Sequence, residues 1–169
     1  KELPATNGHE PLDNVMKEEV EAAIRALKKK KSPGEDNISA EIMQAGQECS
    51  TEMMHVLCEK IFVDKQSPEE WSKAIIVPIY KSKDKQECVN YRGISLLSIP
   101  SKVYTKILQQ RIRKYVEESV SEEQASFRKG RRTIDQLFVI RQLEEKYWGK
   151  NQTLFNNFID FKQAFDSSW

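Results

Sequence analysis

Phe158-Ile159-Asp160-Phe161-Lys162-Gln163-Ala164-Phe165-Asp166 is the stretch on which the reading of this chain turns. The apolar residues Leu154-Phe155 and Phe158-Ile159 lead directly into an acidic side chain. Such a run reads as a short buried strand over 154–160 that delivers a carboxylate at its end. An aspartate so placed is a good magnesium ligand, because hard cations prefer oxygen donors and phosphate-transfer sites hold Mg²⁺ through one or two carboxylates. Asp160 is therefore the first candidate catalytic and metal-binding residue; if it belongs to a two-metal site, its partner carboxylates are not among these 169 residues.

Working outward, the chain has the size of one ordinary domain and can bury a core. Apolar content of 38% and charged content of 31% suit an elongated, helix-rich surface facing a polar partner. No apolar run reaches membrane-span length, so no membrane is expected. Lys1-Glu2-Leu3-Pro4 does not read as a basic-then-apolar leader, and a first residue other than Met is expected of a piece of a longer protein. Cys49, Cys58 and Cys88 are odd in number and form no CxxC pair, which fits free thiols in an intracellular, reducing compartment. Nucleus and cytoplasm are not distinguished. His9 and His55 have no metal-ligand spacing, and His55, in a Met/Leu-rich helical stretch, reads as structural; zinc and Ser-His hydrolase chemistry are poorly supported.

The net charge of +1 hides a division. Residues 1–72 carry 9 basic and 15 acidic side chains, residues 73–132 carry 14 and 6, and residues 133–169 carry 4 and 5. A basic middle interleaved with Tyr91, Tyr104 and Phe127 fits nucleic acid, against the plainer reading of solvated helix faces.

Periodicity predicts the elements. Residues 1–12 are a loose lead-in. A helix opens at Asp13 or Asn14 and closes at the lysine run 28–31. A second runs from Ser39 to Gly46 with Ile42-Met43 inward, and a third starts at Ser50 with Met54, Leu57-Cys58 and Ile61-Phe62 on one face. Ser67-Pro68-Glu69-Glu70 starts a brief helix. Residues 74–79 and 94–97 are strands joined by a polar, mobile-looking lysine loop. Helices follow at about 101–119 and from Ile134 to Trp148, with a basic loop at Phe127 to Arg132 between them. The fold class is α+β, helix-dominated, with a small antiparallel sheet.

Five blocks stand in order: Ser32-Pro33-Gly34-Glu35-Asp36 with Ala40-Glu41-Ile42; Trp71 through Ile79-Tyr80-Lys81; Asn90-Tyr91-Arg92-Gly93-Ile94-Ser95-Leu96-Leu97; Gln124-Ala125-Ser126-Phe127-Arg128-Lys129-Gly130-Arg131; and Phe158 to Asp166. Together they resemble the reverse transcriptases of non-LTR (LINE-type) retrotransposons, nearest the RTE-like branch, where a glycine commonly follows Asn-Tyr-Arg. The likeness runs from about residue 13 to 169.

The resemblance implies an RNA-directed DNA polymerase of the right-hand type. Residues 13–150 would be its fingers region and 151–169 the start of its palm, with Mg²⁺ as cofactor and an RNA template, a DNA primer and a dNTP as partners. Asp160 matches the first palm aspartate, which with the backbone carbonyl of Phe161 would hold the metal. Phe165 matches the aromatic that packs on the incoming sugar and excludes a 2′-hydroxyl; plain core packing is the alternative. Asp166 reads as a cap of the following turn. Arg92 matches the fingers arginine on the triphosphate, where a guanidinium fork suits phosphate oxygens. Lys81, at the root of the lysine loop, is a second candidate by charge and position, whereas Lys83 and Lys85 read as solvated. Phe127, Arg128, Lys129 and Arg131 match the basic loop beside template and nucleotide. Ser126 stands where the family usually has glycine; if that position needs a positive φ, serine is strained there and points to a decayed copy. The paired-aspartate segment, the rest of the palm, the thumb and the usual endonuclease are absent from these residues, so they are expected to be inactive by themselves. The alternatives are a non-catalytic nucleic-acid-binding fragment and a degenerate element copy.

Overall fold

The computed structural model describes residues 13–161. Among these residues are five α-helices, α1 (Lys17–Arg25), α2 (Ala40–Ala45), α3 (Gln47–Asp64), α4 (Ile99–Ser119) and α5 (Thr133–Gly149), with 3-10 turns at Glu69–Ser72 and Cys88–Asn90 and two strands, β1 (Ile75–Tyr80) and β2 (Tyr91–Leu96), between α3 and α4. This is the helix-rich α+β architecture expected, with one small antiparallel sheet. The chain divides into two compact units between Lys114 and Tyr115, a point within α4.

In the first unit, apolar residues three and four apart on each helix turn to one interior. Val20, Ala23 and Ile24 of α1 meet Met54 and Cys58 of α3 and Val103 and Ile107 of α4, with Val15 and Met43 beside them. Each fully buried aliphatic side chain contributes about 1.5–3 kcal/mol. Burial pushes the Cys58 thiol up to about 12, so it serves as a small apolar residue. Cys49, Cys58 and Cys88 are all unpaired thiols, as their spacing implied. His55 is structural, as expected: its Nε2 lies 2.8 Å from the Val15 carbonyl oxygen.

Arg111 closes this core from α4. It donates to both Glu19 carboxylate oxygens (2.8 and 2.5 Å) and to the carbonyls of Asp13 (2.7 Å) and Asn14 (2.8 Å). Its guanidinium lies 5.5 Å from the centre of the Phe62 ring. The Arg111 hydrogen bonds hold the Glu19 carboxyl below its ordinary range, against the opposing effect of partial burial.

Several local expectations give way to tertiary contacts. The lysine run does not finish α1; the Gln44 amide does, donating to the Ile24 (3.1 Å) and Leu27 (3.0 Å) carbonyls. Ser39 caps α2, accepting from the Ile42 N–H at 3.2 Å, and Met43 is buried, but Ile42 faces outward at 59% exposure. Six residues of helix offer a stripe too narrow for both. The third helix begins at Gln47, not Ser50: the backbone turns at Gln47 (φ 43°) and helix resumes at once. Ser67 supplies no cap, and its helix is a single 3-10 turn, in which the Ser72 hydroxyl donates to the Glu69 carbonyl at 2.6 Å. Gly34 is set by close approach, because a Cβ there would lie 2.6 Å from the Ser98 nitrogen and 2.8 Å from the Leu97 carbonyl carbon.

In the second unit, α5 starts where the Asp135 carboxylate accepts from the Arg132 N–H at 2.9 Å. The strand expected over 154–160 is not formed, and residues 152–161 take no regular structure. Phe155, Phe158 and Ile159 are 90%, 77% and 74% exposed, so the run is not buried either. A strand exists only through a neighbour that accepts its ladder of hydrogen bonds, and among the described residues this segment has none. Asn156 ties it to α5 through Glu144, at 3.2 Å. The lead-in 1–12 and residues 162–169 lie outside the described residues.

Candidate nucleotide and nucleic-acid interface

The ribbon is built residue against residue, from Ile75 opposite Leu96 to Tyr80 opposite Tyr91. Side chains alternate between its faces. Arg92 lies opposite Ile79, and Lys81, whose N–H donates to the Asn90 carbonyl at 2.8 Å, continues the pairing. Lys81 is two residues on from Ile79, so it shares the Arg92 face at diagonal separation. Both side chains are exposed, and among the described residues neither head group makes a hydrogen bond or ion pair.

The other face belongs to Tyr80 and Tyr91, whose rings meet edge to face at 5.7 Å. They fasten the lysine loop. Tyr80 Oη donates to the Lys83 carbonyl (2.5 Å), Tyr91 Oη to the Lys85 carbonyl (2.9 Å), and the Asn90 side-chain amide to the Asp84 carbonyl (2.7 Å). Lys85 Nζ lies 5.5 Å from the Tyr80 ring centre, a cation–π contact. The loop expected to be mobile is thus strapped down, and Lys85 is not simply solvated. Sequence reading missed this role of Asn90 and Tyr91; tyrosines flanking a loop on one ribbon face were its available signal.

The basic loop lies in the second unit. Arg128 donates to the Ser121 carbonyl at 2.8 Å, and Arg131 pairs with Glu122. Both arginines therefore brace the loop against the turn at 121–124. Lys129 is exposed and makes no side-chain hydrogen bond or ion pair among the described residues. The left-handed residues are Phe127 (φ 64°) and Gly130 (φ 79°). Ser126 is not one of them, so the expected strain at Ser126 is absent, and with it that argument for a decayed copy. Phe127, 91% exposed, carries the unfavourable backbone instead, at about 1–3 kcal/mol. Around Gly130 a Cβ would meet nothing within 4 Å, so its need for glycine comes from φ.

Asp160 is exposed on the unpaired segment, beside Phe161 at 75% exposure. Its carboxylate and the Phe161 carbonyl are the hard oxygen donors Mg²⁺ takes. Among the described residues no three acidic, histidine or cysteine side chains gather as a metal site, at Asp160 or elsewhere. Phe165 and Asp166 lie outside the described residues. No helix among the described residues is long and apolar enough to cross a membrane.

The family described as reverse transcriptase (RNA-dependent DNA polymerase) matches over residues 80–169, from the ribbon's first turn onward. Curated relatives match further upstream. A probable RNA-directed DNA polymerase from transposon BS of Drosophila melanogaster is 29% identical over 162 residues, 94% of this chain and 18% of that protein. A putative 115 kDa protein in the type-1 retrotransposable element R1DM of the same fly is 32% identical over 152 residues, 88% of this chain and 14% of its own length. The RNA-directed DNA polymerase from mobile element jockey, again of Drosophila melanogaster, is 28% identical over 167 residues, 94% of this chain and 18% of its length. The chain spans less than a fifth of each of these relatives. With β2, the basic loop and Asp160 inside the family match, the chain belongs to the reverse transcriptase family, on the LINE-type, non-LTR retrotransposon side that its five ordered blocks resemble.

Proposed function

We propose that this chain is part of the RNA-directed DNA polymerase of a retrotransposon, and that its ribbon grips the triphosphate of an incoming dNTP through Arg92 and Lys81. The observation that carries the reading is the division of labour on the ribbon. One face presents two cations without partners among the described residues, while two tyrosines on the other hold the connecting loop. A planar guanidinium takes two phosphate oxygens at once, and an ammonium beside it adds a non-directional charge. Lys129 and the loop braced by Arg128 and Arg131 would meet the RNA template and DNA primer. Asp160 and the Phe161 carbonyl would hold Mg²⁺, together with phosphate oxygens and further carboxylates. Bound there, Mg²⁺ stabilises charge on the attacking and leaving oxygens of nucleotidyl transfer. Residues 13–150 would serve as fingers and 151–169 as the start of the palm, and Gly93 after Asn90-Tyr91-Arg92 supports the RTE-like placement.

The test is dNTP–Mg²⁺ binding by the chain, followed by calorimetry. Arg92→Ala is expected to weaken it at least about tenfold, the worth of a charged hydrogen bond, and Arg92→Lys to restore only part because the fork is lost. Unchanged binding in both Arg92→Ala and Lys81→Ala overturns the assignment. Primer extension on an RNA template by these residues alone is expected to yield no product, since one carboxylate does not organise two ions. RNA binding that persists when no variant alters dNTP binding favours the non-catalytic nucleic-acid-binding alternative.

A further inference from the structure

A second cationic site lies in the first unit and shares no residue with the ribbon or the basic loop. The lysine run after α1 is split by its own backbone. Lys30 sits at φ 57°, a left-handed conformation that costs a non-glycine residue about 1 kcal/mol or more. It is held there by the Glu41 carboxylate, which accepts from the Lys30 N–H at 2.5 Å. The turn sorts the side chains. Lys29 lines one groove, together with Arg25, Glu21 and Glu48. Lys28 and Lys31 line another, of about 280 Å³, with Lys102 and Lys106 of α4. Its floor is apolar, from Ala23, Leu27 and Ile99, and no carboxylate lines it. Lys102 and Lys106 are one helical turn apart and so project from the same side of α4. The single hydrogen bond made by these four ammonium groups among the described residues is from Lys106 to the neutral Gln109 side chain, at 3.2 Å.

Four like charges held around a small groove repel one another, and a polyanion relieves that repulsion. We infer that this groove binds the phosphate backbone of a nucleic-acid strand, as a contact separate from the nucleotide-facing ribbon. Lysines act as point charges that suit backbone phosphates without reading bases, and the apolar floor accepts sugar or base surface. The inference rests on the nucleic-acid reading above and deepens it.

The experiment is a salt titration of the chain's affinity for a fluorescein-labelled oligouridylate RNA, read by anisotropy. Lys28, Lys31, Lys102 and Lys106 are changed together to Gln, with a melting curve to verify folding. Each phosphate contact contributes about 0.7 to the slope of log K against log salt for a single strand. The quadruple variant is therefore expected to lose about 3 from that slope and at least about tenfold in affinity at low salt. A control variant removes equal charge elsewhere, by Lys60→Gln, Lys65→Gln, Lys146→Gln and Lys150→Gln, and is expected to change the slope by less than about 1. Equal losses in both variants overturn the groove, because net charge alone then accounts for the effect. A slope untouched in the groove variant but reduced by Lys129→Gln also overturns it while the nucleic-acid reading stands. No RNA binding by the unaltered chain at low salt defeats both. Polyglutamate that competes as well as RNA, and loses as much in the groove variant, overturns the nucleic-acid assignment in favour of an acidic protein segment.

Discussion

The helical core of the first unit and the ribbon that follows it use apolar residues in opposite ways. In the core, Val20, Val103 and Ile107 are fully buried among three helices. In the ribbon, all six residues of β1 are exposed, with Ile76 at 69%. Both regions are β-branched and apolar in sequence, so composition does not separate them. What separates them is whether a partner surface lies within reach. A two-stranded ribbon has two faces and no second layer, and it is marginal as a free-standing structure. Here cross-strand pairing and the Tyr80–Tyr91 strap define its shape, and its sides stay largely exposed. The core buries its apolar side chains, and the ribbon leaves most of its own exposed.

The largest test of this contrast pairs two truncations. Ile107→Ala is expected to cost about 2–5 kcal/mol in denaturant unfolding, whereas Ile76→Ala is expected to stay within about 0.5 kcal/mol. A comparable loss at Ile76 would make the ribbon part of the core. Next in size is Arg111→Met, expected to cost about 2–3 kcal/mol, because Glu19 is left half-buried without its partner. This variant also sharpens the pH dependence. Glu19 has a folded-state pKa below its ordinary value. Its contribution is therefore complete above about pH 5 and is lost as pH falls through the ordinary carboxylate range toward the lowered folded value. Melting temperatures followed downward from pH 5 should drop more steeply in the unaltered chain than in Arg111→Met.

Gly34→Ala is expected to cost about 1–3 kcal/mol by the same unfolding measurement, since its Cβ would meet backbone that cannot swing aside. The smallest effect belongs to the ribbon. Tyr91→Phe removes the hydrogen bond to Lys85 and is worth about 1 kcal/mol locally. Amide exchange in residues 81–90 should quicken while the global unfolding midpoint holds. A shift of the midpoint equal to that at Ile107 would erase the distinction between the two regions.

The residues nominated for the site were named in advance, but most of their surroundings were not. Arg92 was named from the family resemblance and Lys81 from its charge and its place at the root of the lysine loop, and the strand pairing puts the two on one face. The arginines of the basic loop were found as charges, but Arg131 has an acidic partner nine positions upstream that charge counting does not show. Asp160 was found as a carboxylate after an apolar run, yet that run has no sheet to join among the described residues. The roles of Asn90, Gln44 and Arg111 were not found, because each depends on where another part of the backbone passes.

From its amino acids alone this chain determined the approximate places of its five α-helices and of the ribbon's two strands, its charged middle and its family. Those properties reside in local spacing: a period near 3.6 for a helix, a short β-branched run for a strand, and ordered blocks for kinship. Only the tertiary structure decided that Arg111 would hold Glu19 across 92 positions, that Gly34 would lie against the Leu97–Ser98 backbone, and that Lys28 and Lys31 would face Lys102 and Lys106. Such pairings arise when packed helices bring distant side chains within hydrogen-bonding or van der Waals range, a condition that sequence spacing does not encode.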